Sequence, residues 1–300
     1  MSIAYPLTSP NVVDGAITVD LMLQEPTRIT SYIAEKVNEQ LFIDKLFTPE
    51  NAVGGAIIFD QTVKTDTKVE GTSKIPAGSE FPIVSSTDTE PKVEKVEKTG
   101  GKFKVTDEAR KRNQGSVIQR ESRKLANTIT SDIHKGGLEA LKSSLTDLGS
   151  DKLTVASGGW VAAGKATSGT KTAEKSARAD LIRAVAAGAK TELGYAYNLL
   201  LTNTDDDAAL KIALENDQAV QAFYASFGIT PIVTPLLTKG TSYLVAGGAV
   251  GTMGVEDPLS AETWDDRKIQ STWFQSWMTV AFGITDPLAI VEITNVDGDA

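Results

Sequence analysis

The stretch that most constrains this chain lies between two strand-like runs, AIIFDQTVKT from residue 56 and KFKVT at 102–106. About forty residues rich in Thr, Lys, Glu, Ser and Pro separate them. A structureless insertion of that length is uncommon inside a compact domain and tends to be functional where it occurs. The first run is β-branched and aromatic, and the second alternates Lys102 and Lys104 with Phe103 and Val105. Val93 and Val96 in KVEKVEK extend the second strand outward. The simplest geometry is a long two-stranded hairpin reaching away from the body. An isolated ribbon of this kind is marginal in water, so the chain must fold into something that gives it another surface to lie on.

The remainder is ordinary globular material. Three hundred residues imply two compact domains, or one domain with long extensions. Hydrophobic residues make up 41% and charged residues 23%, enough to bury a sizeable core. A net charge of −9 disfavours gripping a phosphate backbone, although it is compatible with enclosing DNA. With no cysteine, disulfides, thiolate metal sites and cysteine nucleophiles are excluded. The opening MSIAYPLTSPNVVDG has no basic region followed by an apolar one, and no run approaches eighteen apolar residues. Neither a secretory signal nor a membrane span is expected, and the protein is read as made and assembled in a cytoplasm.

Before the ribbon, residues 1–50 do not read as a self-contained unit. Prolines 6, 10 and 26 punctuate an extended lead, and an amphipathic helix is predicted over 28–46 with Ile29, Ile33, Val37 and Leu41 on one face. Its apolar stripe needs a neighbouring surface, on the same chain or another copy. After the ribbon, Thr106 caps a short helix with Asp107 and Glu108 in its first turn, and Ser116 caps a longer one. Ile118, Leu125, Ile129 and Ile133 share a face of that helix, and Gly136 and Gly137 predict a bend or close packing within it. Residues 149–175 read as a linker or surface loop. An α/β unit follows, with a helix at SARADLIRAVAAGA, a buried strand at AYNLLLTN, a helix at DDDAALKIALEND and short strands at ITPIVTP, TSYLVA and AVGTMGV. A long strand (KIQSTWFQSWMTVAFGI) and a short one (LAIVEIT) close the chain.

No catalytic constellation stands out. His134, the only histidine, cannot build the usual histidine-containing zinc site, and it reads as solvated or at an interface. Asp205, Asp206 and Asp207 read as acids that cap the helix that follows and stabilise its dipole, not as a calcium loop. Glycines 247, 248, 251 and 254 match no phosphate-loop pattern and read as turns between short strands. Trp264, Trp273 and Trp277 could form a sugar or base platform, but core and inter-subunit packing explains them better. Arg110, Lys111, Arg112, Arg120, Arg123 and Lys124 form a basic stretch at the hairpin root. It either pairs with a neighbouring acidic loop, lines DNA, or is a solvated helix face.

Two passages carry a family resemblance. GGKFKVTDEARKRNQGSVIQRESRKLANTITSDI at 100–133 resembles the passage from hairpin into long spine helix in the major capsid proteins of tailed bacteriophages, and WFQSWMTVAFGITDPLAIVEIT at 273–294 is similar to their returning strand, Asp-Pro turn and final strand. LVAGGAVGTMGVEDPL at 244–259 looks like the strand-rich part of their axial domain. The order of elements along nearly the whole chain resembles the same family, whose fold is called the Hong Kong 97 type, an α+β fold.

The resemblance implies an N-terminal arm at 1–50, an extended β-hairpin loop at 51–103, a peripheral domain with the spine helix at 104–175, an axial domain at 176–266, and returning strands of the peripheral domain at 267–300. It implies a non-enzymatic virion subunit that self-assembles as hexamers and pentamers into an icosahedral capsid enclosing double-stranded DNA. No cofactor or metal is expected, and DNA is enclosed without sequence-specific binding. Partners are further copies, a portal, a decoration protein and a scaffolding protein, the last separate because no long scaffolding region precedes the arm (or removed by prior processing). Subunit contacts fall on Lys64, Lys68, Glu70, Lys74, Glu80 and Phe81 in the hairpin and on Arg110, Arg112, Arg120 and Arg123 beside it. Some relatives weld neighbours by a Lys–Asn isopeptide bond; nothing here identifies an Asn and acid partner, and the hairpin lysines are read as rim ion pairs worth about 0–1 kcal/mol each. Rival readings are an encapsulin-like compartment of the same fold and a soluble α/β enzyme.

Overall fold

The computed structural model describes residues 26–63, 72, 74–82, 91–112, 115–160, 176–214 and 217–298, with the residue pairs 12–13 and 16–17. In the lead, β1 (Val12–Val13) and β2 (Ala16–Ile17) pair antiparallel. Helix α1 (Pro26–Gln40) follows, six residues shorter at its end than the sequence predicts, because the chain passes into a single 3-10 turn at Ile43–Lys45. Ile33 and Val37 of α1 are buried within this one chain. The helical part of the arm therefore uses its own body as the surface its stripe needs.

Strands β3 (Phe47–Asn51) and β4 (Ala56–Phe59) precede the long insertion, and β5 (Lys92–Lys95) and β6 (Glu97–Thr106) follow it. The hairpin predicted between 56 and 106 is divided. Only β5 pairs with β4, from Ala56 opposite Lys95 to Phe59 opposite Lys92. The KFKVT run belongs to β6, which pairs elsewhere. The break falls at Val96, whose N–H donates to Gly55 O at 3.1 Å. Burial explains the division: β6 turns Phe103 and Val105 to one face and needs a covered sheet, whereas KVEK in β5 has little to bury.

A short helix, α2 (Asp107–Lys111), is capped by the Thr106 hydroxyl, which accepts from the Ala109 N–H as expected. Helix α3 (Gly115–Asp147) then runs 33 residues, about 50 Å, without a break. Its two mid-helix glycines serve close packing: a Cβ on Gly137 would lie 2.6 Å from Ile43 Cγ1, and one on Gly136 3.3 Å from Phe282.

The expected linker contains a strand, β7 (Leu153–Ala156); 161–175 lie outside the described residues. Next come α4 (Ala177–Ala189), β8 (Leu199–Thr202), α5 (Thr204–Leu214), α6 (Asp217–Phe227), β9 (Thr230–Val233) and β10 (Thr241–Val245). The predicted short strand at AVGTMGV is instead the start of β11 (Gly251–Asp266), which crosses register shifts on either side of Asp257. The chain closes with β12 (Ser271–Gly283) and β13 (Ile290–Thr294).

Two main sheets result, ordered β7-β13-β10-β8-β9 and β3-β11-β12-β6. Their membership differs from a division at 266. β11 joins the sheet of β12 and β6, and β13 lies between β7 and β10. The reason is hydrophobic pattern: Ile290, Val291 and Ile293 are all buried, which suits an interior strand covered on both faces. The one-sidedly apolar β6 and β12 form a sheet whose inner face packs on α3, with Phe103, Val105 and Phe274 against Leu125 and Ile129 in one continuous core. Among the described residues, no helix is long and apolar enough to cross a membrane.

Candidate assembly surfaces

The ribbon leaves the body at a fixed root. Gln61 Nε2 donates to Ile284 O at 3.3 Å, and Thr62 N–H to Thr285 O at 2.8 Å. On the returning side, Lys92 Nζ meets Asp147 at the end of α3 at 2.6 Å. Ile57 tucks inward against Ala52 and Ala281. Outward, Val53, Ile58, Phe81 and Val93 are exposed, Phe81 to 80%. A set of apolar side chains left in water along one projection marks an interaction surface. Of the hairpin residues singled out from the sequence, Lys74, Glu80 and Phe81 are exposed, and Lys64, Lys68 and Glu70 lie outside the described residues.

The basic residues sit on α2, just after it and on the first turns of α3, about 36 Å or more along that helix from Asp147, so the structure separates them from the ribbon root beside which the sequence reading placed them. Arg112, Arg120 and Arg123 are exposed and Arg110 is half-buried. Arg120 and Lys124 both reach Glu121, at 3.0 and 3.1 Å. Hydrogen bonds from those two cations hold the Glu121 carboxyl below its usual range. At the same end of the sheet, Arg267 pairs with Asp265 and lies 3.6 Å from Asp107. Among the described residues, no ion pair joins Arg112, Arg120 or Arg123 to the exposed Glu80.

Sequence reasoning named the tryptophans of a third surface but missed its lysines. On the outer face of the β3-β11-β12-β6 sheet, opposite α3, the register places Lys104 beside Trp273 and Trp264, Lys102 beside Gln275, and Gly100 beside Trp277. Lys98 Nζ stands 4.5 Å from the Trp277 centroid and Lys102 Nζ 4.9 Å from that of Trp273. Trp264 and Trp273 stack at 6.3 Å with 18° between planes. These indoles are half-buried, neither core nor a bare platform. Gly100 makes the close approach possible, since a Cβ there would meet Ser276 O at 2.4 Å. Beside it lies a depression of about 250 Å3, lined by Lys98, Gly100, Lys102, Gln275 and Trp277 among others. The signal was present in the even-numbered lysines of β6 and the odd-numbered tryptophans of β12, but only the pairing register joins them.

The remaining candidates are structural. His134, expected in solvent or at an interface, is buried against Phe42. Burial pushes its imidazole down to about 4, despite the nearby Asp44, so it is neutral near pH 7. The acids at 205–207 do more than favour a helix dipole. Asp206 is buried and accepts from the Gly240 N–H at 2.9 Å; Asp207 accepts from the Tyr224 hydroxyl at 3.2 Å and pairs with Lys211 at 2.7 Å. Asn203 supplies the cap, its Oδ1 accepting from the Asp205 N–H at 2.8 Å. Of the four glycines, Gly248 makes a turn at φ +77°, while Gly251 and Gly254 lie within β11. At Gly251 the neighbouring backbone leaves no room for a Cβ. Among the described residues, no group of three His, Cys, Asp or Glu is placed to hold a metal ion.

Comparison with known proteins places this geometry. A family model described as phage capsid protein matches residues 89–293, more than half of the chain. No curated protein matches. Among solved structures, the virus-like particle from Pyrococcus furiosus is similar at TM-score 0.61 and 16% identity, over 89% of this chain and 98% of that one. A phage-related protein from Bordetella bronchiseptica RB50 gives TM-score 0.61 at 11% identity, over 90% and 97%. The capsid of Myoviridae phage XM1 gives 0.55 at 12%, over 85% and 91%. The long insertion, the spine helix and the two sheets are thus those of the Hong Kong 97-type α+β fold, and the chain belongs to the phage capsid protein family as a structural subunit.

Proposed function

We propose that copies of this chain assemble as hexamers and pentamers into a closed icosahedral shell around double-stranded DNA, without catalysing a reaction. The observation that carries this reading is the ribbon, anchored at Gln61, Thr62 and Lys92 yet exposing Val53, Ile58, Phe81 and Val93 to water. A draped ribbon gains a partner surface in a closed symmetric assembly, where every copy gives and receives the same contact. In this reading the β3-β11-β12-β6 sheet and α3 form the peripheral domain. The five-stranded sheet with α4, α5 and α6 forms the axial domain, meeting its copies at the local symmetry axis.

Assembly takes place in the host cytoplasm with a scaffolding protein and a portal, and a decoration protein binds the finished shell. Lys64, Lys68, Glu70, Lys74, Glu80 and Phe81 contact a neighbour, and Arg110, Arg112, Arg120 and Arg123 receive a neighbour's acids. The Pyrococcus particle shares the fold, so fold alone does not separate a genome container from a cargo compartment; the family match on 89–293 favours the genome. The test is electron microscopy of the chain expressed with its scaffolding partner, beside a variant lacking 65–91. Closed particles from the first and only soluble subunits from the second are expected. Normal shells from the deletion variant would sink the role given to the ribbon.

A further inference from the structure

Resting on that shell reading, we propose that the Glu80–Phe81 tip of one copy docks in the Lys98–Trp277–Lys102 depression of a second copy. Two unsatisfied surfaces on the same molecule point to each other. Phe81 is 80% exposed beside the exposed Glu80, which has no ion pair among the described residues. The depression offers the complement: Lys98 and Lys102 rest on indole rings and reach no carboxylate among the described residues. Its volume of about 250 Å3 suits one or two side chains and falls short of the roughly 300 Å3 at which small-molecule pockets begin. An aromatic ring against Trp277, with a carboxylate between two lysines, satisfies both halves at once.

Charge also selects this receptor over another hollow near the ribbon. A second hollow, of about 290 Å3, lies between the ribbon root, α3 and β12 and is lined by Glu94, Glu97, Asp132 and Glu139 with a single lysine, Lys95. That hollow repels a tip carrying Glu80. The docking is heterologous, since tip and depression are different patches, so it propagates head to tail and closes into a ring when the rotation permits.

The chain contains no cysteine, which makes cross-linking clean. Phe81→Cys combined with Gln275→Cys, treated with a short bis-maleimide in assembled particles, is expected to give a ladder of covalent oligomers. Neither single variant should give one. Independently, Glu80→Lys should lower particle yield and Lys102→Glu in the same chain should restore it. Well-formed particles with no ladder, a link confined within one chain, a ladder from a single variant, or no rescue by the charge exchange would each overturn the contact while leaving the shell intact. Absence of particles from the unmodified chain with its scaffold would instead overturn the shell reading, and this contact with it.

Discussion

The imidazole of His134 lies against the ring of Phe42 with 3.9 Å between centroids and 26° between planes, and its Nε2 accepts the Phe42 backbone N–H at 3.2 Å. That bond requires a lone pair on Nε2, so the proton of the neutral ring sits on Nδ1. His134 thereby ties the segment after α1 to the middle of α3.

The consequence is a pH dependence with a fixed sign. Folding depresses the imidazole from its ordinary 6.5 to about 4, so the unfolded chain binds more protons between those values. The stability contributed by the neutral ring is complete above about pH 6.5 and is lost as pH falls towards 4. Burial raises the Asp206 and Asp286 carboxyls, which acts in the opposite direction over the acidic range. The informative measurement is therefore a difference. The fall in Tm from pH 7 to pH 5 should be larger in the natural chain than in His134→Gln, and equal falls would show that His134 is not held neutral.

Paired glycines one residue apart on α3 should respond oppositely to alanine. Each substitution gains helix propensity, up to about 1 kcal/mol. At Gly136 the new methyl meets only the edge of the half-buried Phe282 ring at 3.3 Å, and a net change near zero or slightly stabilising is expected. At Gly137 it falls 2.6 and 2.8 Å from Ile43, which is fully buried and cannot yield; overpacking of about 1–3 kcal/mol outweighs the propensity gain. Thermal denaturation of the two variants decides this, and a higher Tm for Gly137→Ala would contradict the packing.

These glycines also show what the residues alone could disclose. Their presence in a helical pattern predicted either a bend or a close approach, and only the position of Ile43, ninety-odd residues earlier, selects the approach. The same limit divided the ribbon. Alternation in KFKVT identified a strand, but whether it pairs with AIIF or with STWFQSWMTV depends on which face α3 covers. The order arm, insertion, long helix, α/β unit and closing strands was legible because it rests on local periodicity. The Lys–Trp face was not, because it joins residues some 170 positions apart through register.

Asp180 should be among the costliest single losses in the five-stranded-sheet unit. It is fully buried and accepts from Ser157 Oγ at 2.6 Å, Trp160 Nε1 at 3.1 Å and Arg183 Nη1 at 3.2 Å. Removing the carboxylate leaves the buried Trp160 and Ser157 donors without an acceptor, and each such group costs about 1–3 kcal/mol. Asp180→Ala is expected to destabilise by about 3 kcal/mol in denaturant titration, with Trp160 emission shifted to longer wavelength. Arg183→Ala should cost far less, since its side chain is 47% exposed.

The ribbon's outward pair separates the stability of one subunit from assembly. Ile58 and Val93 are direct cross-strand partners, exposed to 73% and 57%, while the adjacent Ile57 faces inward at 7%. Burying an aliphatic side chain of this kind is worth about 1.5–3 kcal/mol, and the isolated subunit forgoes most of it here. Ile58→Ser with Val93→Ser should therefore leave the Tm of the isolated subunit within a degree or two, because little native contact is lost. In a shell where a second copy covers the pair, the same variant should raise the subunit concentration needed for particles, as read by light scattering. Ile57→Ser is the contrast: it disturbs the Ala52–Ala281 contact at the root and should lower the Tm of the subunit itself. Unchanged assembly by the double variant would mean the pair stays in water in the finished particle, and the ribbon would then hold its neighbours by the tip alone.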